Sequence, residues 1–284
     1  MPELPEVEVV RKGLEQHVLG KTIKKVDVLF AGIVNSPEVA LFSKKLQGEK
    51  IENILRRGKF LIFKLSNYDL ISHLRMEGKY EFHKQKEATI AKHAHVIFTF
   101  TDDTQLWYKD TRKFGRMTLM KKDQAYFYKG LQKLGPEPTE ADFSFPIFWG
   151  QLANLKKPIK PLLLEQRLVV GLGNIYADEV LWKAQIYPKQ PGNTLLSEEA
   201  SVLHRAIIEI LAQAIEKGGT TIRSYKNAWG EAGHFQSELK VYKRAGKPCF
   251  RCETKIEKIQ LTGRGTHYCP NCQKFYERAS RAKT

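Results

Sequence analysis

The sequence predicts an α+β protein of several domains: a β-sandwich or barrel flanked by helices, then a helical domain, then a small cysteine-bearing module. Three observations carry this. From about residue 22 to 121, β-branched and aromatic residues come in short runs separated by turn signals. From 144 to 217, apolar residues recur at helical spacing. All four cysteines fall between Cys249 and Cys272. At 284 residues the chain is long for one core and sufficient for two domains plus a module.

The elements follow in order. Residues 5–18 read as a helix, with Pro5 in the first turn and Val7, Val10, Leu14 and Val18 on one face. The clearest strands are Thr22–Phe30, Phe60–Leu65, His95–Thr101 and Gln105–Lys109, with turns at Glu77-Gly78 and Asp102-Asp103. Leu134-Gly135-Pro136-Glu137-Pro138 breaks the pattern and reads as a linker. Leu162–Leu168 reads as a helical run, interrupted by Gly171-Leu172-Gly173 and resumed over Asn174–Ala184. Ser197 is placed as the cap of a helix whose stripe is Leu203, Ile207, Ile210, Ala214 and Ile215, stopped by Gly218-Gly219. Residues 220–240, rich in glycine and polar residues, are expected to form a mobile loop. The domain boundaries are therefore set at 1–133, 134–240 and 241–284.

Composition excludes several classes. Hydrophobic residues make 42% and charged residues 27%, an ordinary globular balance. No apolar run reaches the roughly 18 residues needed to span a bilayer. The acidic start Met1-Pro2-Glu3-Leu4-Pro5-Glu6 lacks the regions of a signal peptide, so a cytoplasmic, nucleoid-associated protein with no membrane partner is expected. The net charge of +16 implies a polyanionic partner, because each cation that meets a phosphate releases a counterion. A merely basic soluble protein is the plainer alternative. The excess is concentrated at the end: residues 240–284 hold twelve basic and three acidic side chains.

Cys249-x2-Cys252, sixteen residues, then Cys269-x2-Cys272 is the spacing of two thiolate knuckles closing one tetrahedral site. One structural Zn2+ is expected, and two reducible disulfides are the alternative. Arg264 lies between Gly263 and Gly265 on the intervening hairpin, placed to reach a phosphate unless it is merely solvated. The Gly171-Leu172-Gly173 turn leaves free N–H groups at a helix start, where Asn174 either caps the helix or binds phosphate. No βαβ unit surrounds it, so a DNA phosphate is preferred to a nucleotide cofactor.

The amino terminus suggests chemistry. Removal of Met1 leaves Pro2 as a free secondary amine, and an α-amino group with a pKa of about 7.7–8.0 is partly unprotonated at neutral pH. Such an amine can attack a sugar C1′ and form an iminium. Glu3 and Glu6 supply carboxylates for proton transfer, although acidic residues in a first turn commonly serve the helix dipole.

Together these features resemble the formamidopyrimidine-DNA glycosylases. The resemblance rests on Pro2-Glu3-Leu4-Pro5-Glu6-Val7-Glu8, Arg56-Arg57-Gly58-Lys59-Phe60, His73-Leu74-Arg75-Met76-Glu77-Gly78, Arg112-Lys113-Phe114-Gly115, Leu134–Pro138, Gly171–Glu179 and Arg264–Cys269, in order from residue 2 to 275. It implies a β-sandwich, a helix–two-turns–helix domain and a zinc-finger hairpin. It implies a monomeric enzyme that excises 8-oxoguanine and formamidopyrimidines from double-stranded DNA and nicks abasic sites by β,δ-elimination. By resemblance Pro2 is the nucleophile, Glu3 assists base loss and ring opening, and Glu6 lies near the extruded lesion. Lys59 serves β-elimination and Arg264 serves δ-elimination. Met76, Arg112 and Phe114 would fill the hole left by the flipped nucleotide, although Met76 and Phe114 alone suggest sandwich core. His93, Asn174 and Tyr242 match DNA contacts, and Arg223 and Tyr225 match a lesion-capping loop. Two departures stand out. Pro158 interrupts the basic stretch 156–160, so Lys156 is assigned to phosphate only provisionally, and Thr111 stands where valine or proline is usual. The tail 273–284 is expected to be disordered or to add nonspecific affinity. The rival readings are an endonuclease VIII-like glycosylase for oxidised pyrimidines and a non-catalytic zinc-ribbon DNA-binding protein.

Overall fold

The computed structural model describes residues 1–85, 89–220 and 233–280. The chain divides into two compact units, 1–132 with 218–234, and 133–217 with 235–284.

The first unit is a β-sandwich. Helix α1 (Leu4–Val18) opens it, starting one residue before Pro5. A reciprocal capping box between Glu3 and Glu6 satisfies the amides of its first turn. The predicted face is buried, with Val7, Val10, Leu14 and Val18 at most 1% exposed. Nine strands follow: β1 (Ile23–Val28), β2 (Val34–Ser36), β3 (Ile51–Arg57), β4 (Phe60–Leu65), β5 (Tyr68–His73), β6 (Lys79–His83), β7 (Ala94–Phe100), β8 (Gln105–Lys109) and β9 (Arg116–Lys121). One sheet runs β1-β7-β8-β6 and the other β2-β9-β5-β4-β3. All pairings are antiparallel except β2 with β9. Phe63, Leu65 and Leu70 of one sheet share a core with Phe98, Phe100, Leu106 and Tyr108 of the other and with the buried face of α1. The sandwich alternative therefore holds over a closed barrel. A helix α2 (Val39–Leu46), not anticipated, is started by Glu38, whose carboxylate accepts the Leu41 amide, and it buries Phe42 and Leu46. A short helix α3 (Lys129–Gln132) closes the first part of the unit.

The second unit contains α4 (Phe145–Leu152), α5 (Ile159–Leu164), α6 (Asn174–Lys183), α7 (Ser197–Glu216) and the hairpin β10 (Glu257–Leu261) with β11 (Arg264–Tyr268). Helix α5 stops at Leu164, short of the expected Leu168. Gln166 takes a left-handed φ of 61°, and its side chain instead bridges the turn, accepting from Gly171 N and donating to the Leu172 carbonyl. Ser197 is the first residue of α7 rather than its cap, and Glu199 accepts the Leu196 amide. Of the expected stripe, Leu203, Ile207, Ile210 and Ala214 are buried and Ile215 is half-buried.

Parts of the segment expected to be a mobile loop, and of the tail expected to be disordered or to add nonspecific affinity, make defined contacts. Arg223 and Tyr225 lie outside the described residues, but Phe235–Glu238 forms a short 3-10 turn with Phe235 and Leu239 buried. Residues 235–240 are thus packed chain. The tail is ordered as far as residue 280 is described. Gln190 exchanges two hydrogen bonds with the Tyr276 backbone, and Arg278 forms a two-pronged ion pair with Glu199 at 2.6 and 3.0 Å. Among the described residues, no helix is long and apolar enough to cross a membrane.

Candidate active site

In the first unit, one end of the sandwich gathers the amino terminus and three turns. The β3–β4 hairpin turns on two residues, Gly58 at φ 54° and Lys59, between the pair Arg57 and Phe60. Phe60 pairs with His73, and His73 pairs with Arg116. The turn after β5 carries Met76, and the turn before β9 carries Arg112 and Phe114. Ion pairing of Arg56 with Glu8 at 2.8 Å, and a hydrogen bond from Arg11 to the Ile54 carbonyl at 3.2 Å, hold α1 against β3.

Pro2 is buried, and Glu3, Glu6 and Lys59 are only 2, 4 and 8% exposed. Charged side chains are rarely buried to this degree without partners or a function. Glu6 is committed on both oxygens. Oε2 accepts the Glu3 amide at 2.8 Å, and Oε1 accepts the Thr220 amide at 2.8 Å and hydroxyl at 3.0 Å. Glu6 thus ties the root of the segment that continues into residues 221–232 to the start of α1. Gly219, at φ 73°, leaves room for this, since a Cβ there would lie 2.8 Å from Oε1.

The terminal amine, here on Met1, is held below its ordinary value of 8.0. Burial is the main cause and Lys59 adds to it, while Glu3, Glu6 and Glu77 pull the other way. His73, half-buried beneath the same turn, is pushed down to about 3 by burial and by Arg75 and Lys59. It is neutral at physiological pH, with Nδ1 accepting the Arg75 amide at 2.9 Å.

The three residues expected to fill the vacated stack sit on these turns. Phe114 is 45% exposed, Arg112 is exposed and stacks on the Phe114 ring at 4.7 Å, and Met76 is half-buried. A core role for Phe114 is thereby excluded. Asp110, buried, shapes the Arg112 turn by accepting the amides of Arg112 at 2.9 Å and Gly115 at 2.8 Å. Its own amide donates to the carbonyl of His93, which is half-buried at φ 70°. Thr111, the unusual residue, donates its hydroxyl to Glu77 and so joins the Met76 and Arg112 turns. Tyr108 packs under both: a Cβ on Gly78 or Gly115 would lie 2.2 or 1.6 Å from its hydroxyl. Because the Tyr108 ring is fully buried, Gly115→Ala is expected to cost about 1–3 kcal/mol, the usual penalty of overpacking. Urea titration measures it, and adding Tyr108→Phe should recover part of the loss.

In the second unit, the four cysteine sulfurs lie within 4.8 Å of one another and form no disulfide. The Cys252 sulfur is 3.4 Å from those of Cys269 and Cys272, and Cys249 is 3.9 Å from Cys272. A tetrahedral zinc with bonds of about 2.3 Å separates its sulfurs by roughly 3.8 Å, so the set fits one such ion. Amides of Arg251 and Cys272 point at knuckle sulfurs, at 3.5 and 3.4 Å from Cys249 and Cys269. Four protein ligands leave no open position, so the ion is structural.

Arg264 is exposed and opens β11, with the turn itself made by Thr262 and Gly263 at φ 46° and 75°. Gly173 occupies the cap position of α6, so Asn174 is its first residue. Asn174 Nδ2 donates to the Gly265 carbonyl at 2.9 Å, and its Oδ1 is buried without a hydrogen-bond partner among the described residues. Tyr242 is half-buried against the His267 ring at 5.2 Å. Lys156 is exposed, Lys157 pairs with Glu165 at 2.7 Å, and Lys160 is buried beside Asp178 at 2.7 Å. Sequence reasoning missed Asp178 and Glu179. Glu179 accepts the amides of Lys240, Val241 and Tyr242 at 2.8–3.0 Å, and burial still pushes its carboxyl upward.

The chain matches three family models: the formamidopyrimidine-DNA glycosylase N-terminal domain over residues 1–117, that family's H2TH domain over 134–226, and the zinc finger found in FPG and IleRS over 246–274. It is 61% identical over 275 residues to the formamidopyrimidine-DNA glycosylase of Enterococcus faecalis, covering 97% of this chain and 98% of that one. It is 52% identical to a Streptococcus pneumoniae protein of the same name, covering 96% of this chain and 99% of that one. Among solved structures, a Lactococcus lactis FPG variant with Fapy-dG-containing DNA matches with TM-score 0.92 and 46% identity over 96% of this chain and all of that one. The Lactococcus protein with abasic-site DNA matches with TM-score 0.91 and 47% identity over 96% and 99%.

Proposed function

Because the chain belongs to the formamidopyrimidine-DNA glycosylase family, we propose that the buried amino-terminal cluster is the reaction centre for excising oxidised purines from double-stranded DNA. The protein is a base-excision-repair DNA glycosylase and AP lyase. The observation that carries the assignment of its reaction centre is the burial of Pro2 together with the charged side chains of Glu3, Glu6 and Lys59. Phosphate binding alone does not require charged side chains buried around the amino terminus.

In this reading the flipped nucleotide brings C1′ to the nitrogen of Pro2. The nitrogen lone pair forms the new bond to C1′ while the glycosidic bond breaks, and the base leaves with that electron pair and gains a proton. Glu3 passes a proton to the ring oxygen, which opens the sugar and leaves the iminium. Loss of a C2′ proton, assisted by Lys59, expels the 3′ phosphate, and a second elimination expels the 5′ phosphate with Arg264 against the charge. Met76, Arg112 and Phe114 fill the vacated stack, and His93, Asn174, Tyr242 and Lys156 hold phosphates. Arg223 and Tyr225 cover the lesion. The net charge of +16 supports the phosphate-led footprint, and the working compartment is the cytoplasm, at the nucleoid.

The test is a duplex carrying 8-oxoguanine. Base release followed by a gap with phosphates at both ends is expected. Tight binding with an intact strand and intact base would leave only the non-catalytic reading. Thymine glycol DNA run alongside ranks the endonuclease VIII-like alternative. The Lactococcus protein has also been crystallised with oxidised-pyrimidine DNA, so the comparison reads a ratio of rates rather than presence against absence.

A further inference from the structure

We infer that Asp178 is a positioning residue for the hairpin arginine: it clamps the three residues after Arg264 onto the start of α6, and so sets Arg264 in register with Asn174. The inference rests on the role given above to Arg264. Asp178 is fully buried on α6. Its Oδ2 accepts the His267 amide at 2.9 Å and lies 3.1 Å from His267 Nδ1. Its Oδ1 is 2.7 Å from the ammonium of Lys160, itself 1% exposed. Lys160 in turn donates to the Thr266 hydroxyl at 2.8 Å and the Gly265 carbonyl at 3.2 Å. The same carbonyl accepts from Asn174. Residues 265, 266 and 267 are therefore each bonded to α5 or α6, through a carboxylate, an ammonium and an amide side chain.

The arrangement is costly as a source of stability alone. A buried ion pair gives back most of its Coulomb energy as desolvation, and apolar replacements of like size are often as stable. What an apolar pair cannot supply is direction. The ammonium and carboxylate fix where the strand carrying Arg264 sits along the helix, to the tolerance that a charge-stabilising group needs. Asp178 touches no reacting atom, so its loss should be felt at the step that uses Arg264 and hardly elsewhere.

The experiment compares Asp178→Asn, the double variant K160M/D178N and Arg264→Ala on 8-oxoguanine and abasic-site duplexes, in single turnover, with zinc content and melting measured for each. The expected result is that Asp178→Asn and the double variant keep one zinc and release 8-oxoguanine within about threefold of wild type, while the second elimination slows tenfold or more. Product then accumulates at the β stage, as with Arg264→Ala. If Arg264→Ala loses the second elimination and both Asp178 variants retain it, the clamp is refuted and the role of Arg264 stands. If Arg264→Ala retains that elimination, the role of Arg264 falls and the clamp with it. Loss of zinc, or an equal slowing of every step, in both Asp178 variants assigns Asp178 to folding and also overturns the inference.

Discussion

A protein that keeps Met1 is expected to lose base excision and borohydride trapping together, by at least about a thousandfold, the scale of removing the nucleophile from covalent catalysis. With Met1 attached, the nitrogen of Pro2 is an amide with no lone pair to give. DNA affinity should persist, because its phosphate contacts are not touched. Intact-mass measurement of the two forms, paired with trapping on 8-oxoguanine DNA, checks this; a trapped adduct on the Met1 form would place the nucleophile elsewhere. The pH profile gives a second check. Pro2 is buried, and burial penalises an ammonium more than an amine, so the freed Pro2 nitrogen is expected to stay reactive below the ordinary α-amino value of about 7.7–8.0. Single-turnover excision should therefore be flat above the lowered pKa and fall as pH drops through it.

Removal of zinc is the other change with a large expected effect. Structural zinc sites contribute about 10–16 kcal/mol of apparent binding energy to folding. The apolar cluster around the site is small: Ile256 and the cysteines, with Val241 and Trp182 packed against them. Chelation, or Cys249→Ser, should unfold it and reduce DNA affinity by a hundredfold or more, read by fluorescence anisotropy. Trp182 supplies a direct reporter. Its indole N–H donates to Cys249 Sγ at 3.4 Å, and Arg251 stacks on its ring at 3.9 Å. Its emission should shift to the red as the knuckle opens, with Trp182→Phe as the control. Unchanged DNA affinity in the metal-free protein would separate the module from binding.

The parts of this fold that were legible in the sequence are those governed by local spacing. Phe60–Leu65 and Gln105–Lys109 lie where alternation and β-branching put them. So do α1 and the cysteine knuckles, whose geometry is a matter of neighbours along the chain. What was hidden depends on distant partners. Helix α2 is only eight residues long and anchors by Phe42 and Leu46 alone, too few for a period to emerge among strands. Lys160 stands in a basic stretch and reads as solvated. Only the arrival of Asp178, Gly265 and Thr266 makes it a core residue. Glu6 shows the same limit: a first-turn glutamate announces a capping box, but not that Thr220 will come to its other oxygen. Polar composition at 235–240 and in the tail says little about packing, because Glu179 and Gln190 bind backbone rather than side chains there. Recognition of the amino-terminal cluster came from resemblance, since six residues of sequence carry no information on burial.

The ion pair between Arg278 and Glu199 lies beyond the last zinc ligand, Cys272, and fastens the chain that follows it back onto α7. A chain that stalls or is clipped just after Cys272 already holds every thiolate, yet lacks this fastening. Holding the metal and fastening the segment behind it are thus separate tasks, given to separate residues. For anyone engineering the protein, a fusion partner belongs beyond Arg278, where it leaves the fastening whole. One spliced on at residue 274 would yield a metal-bound enzyme with its last seam open.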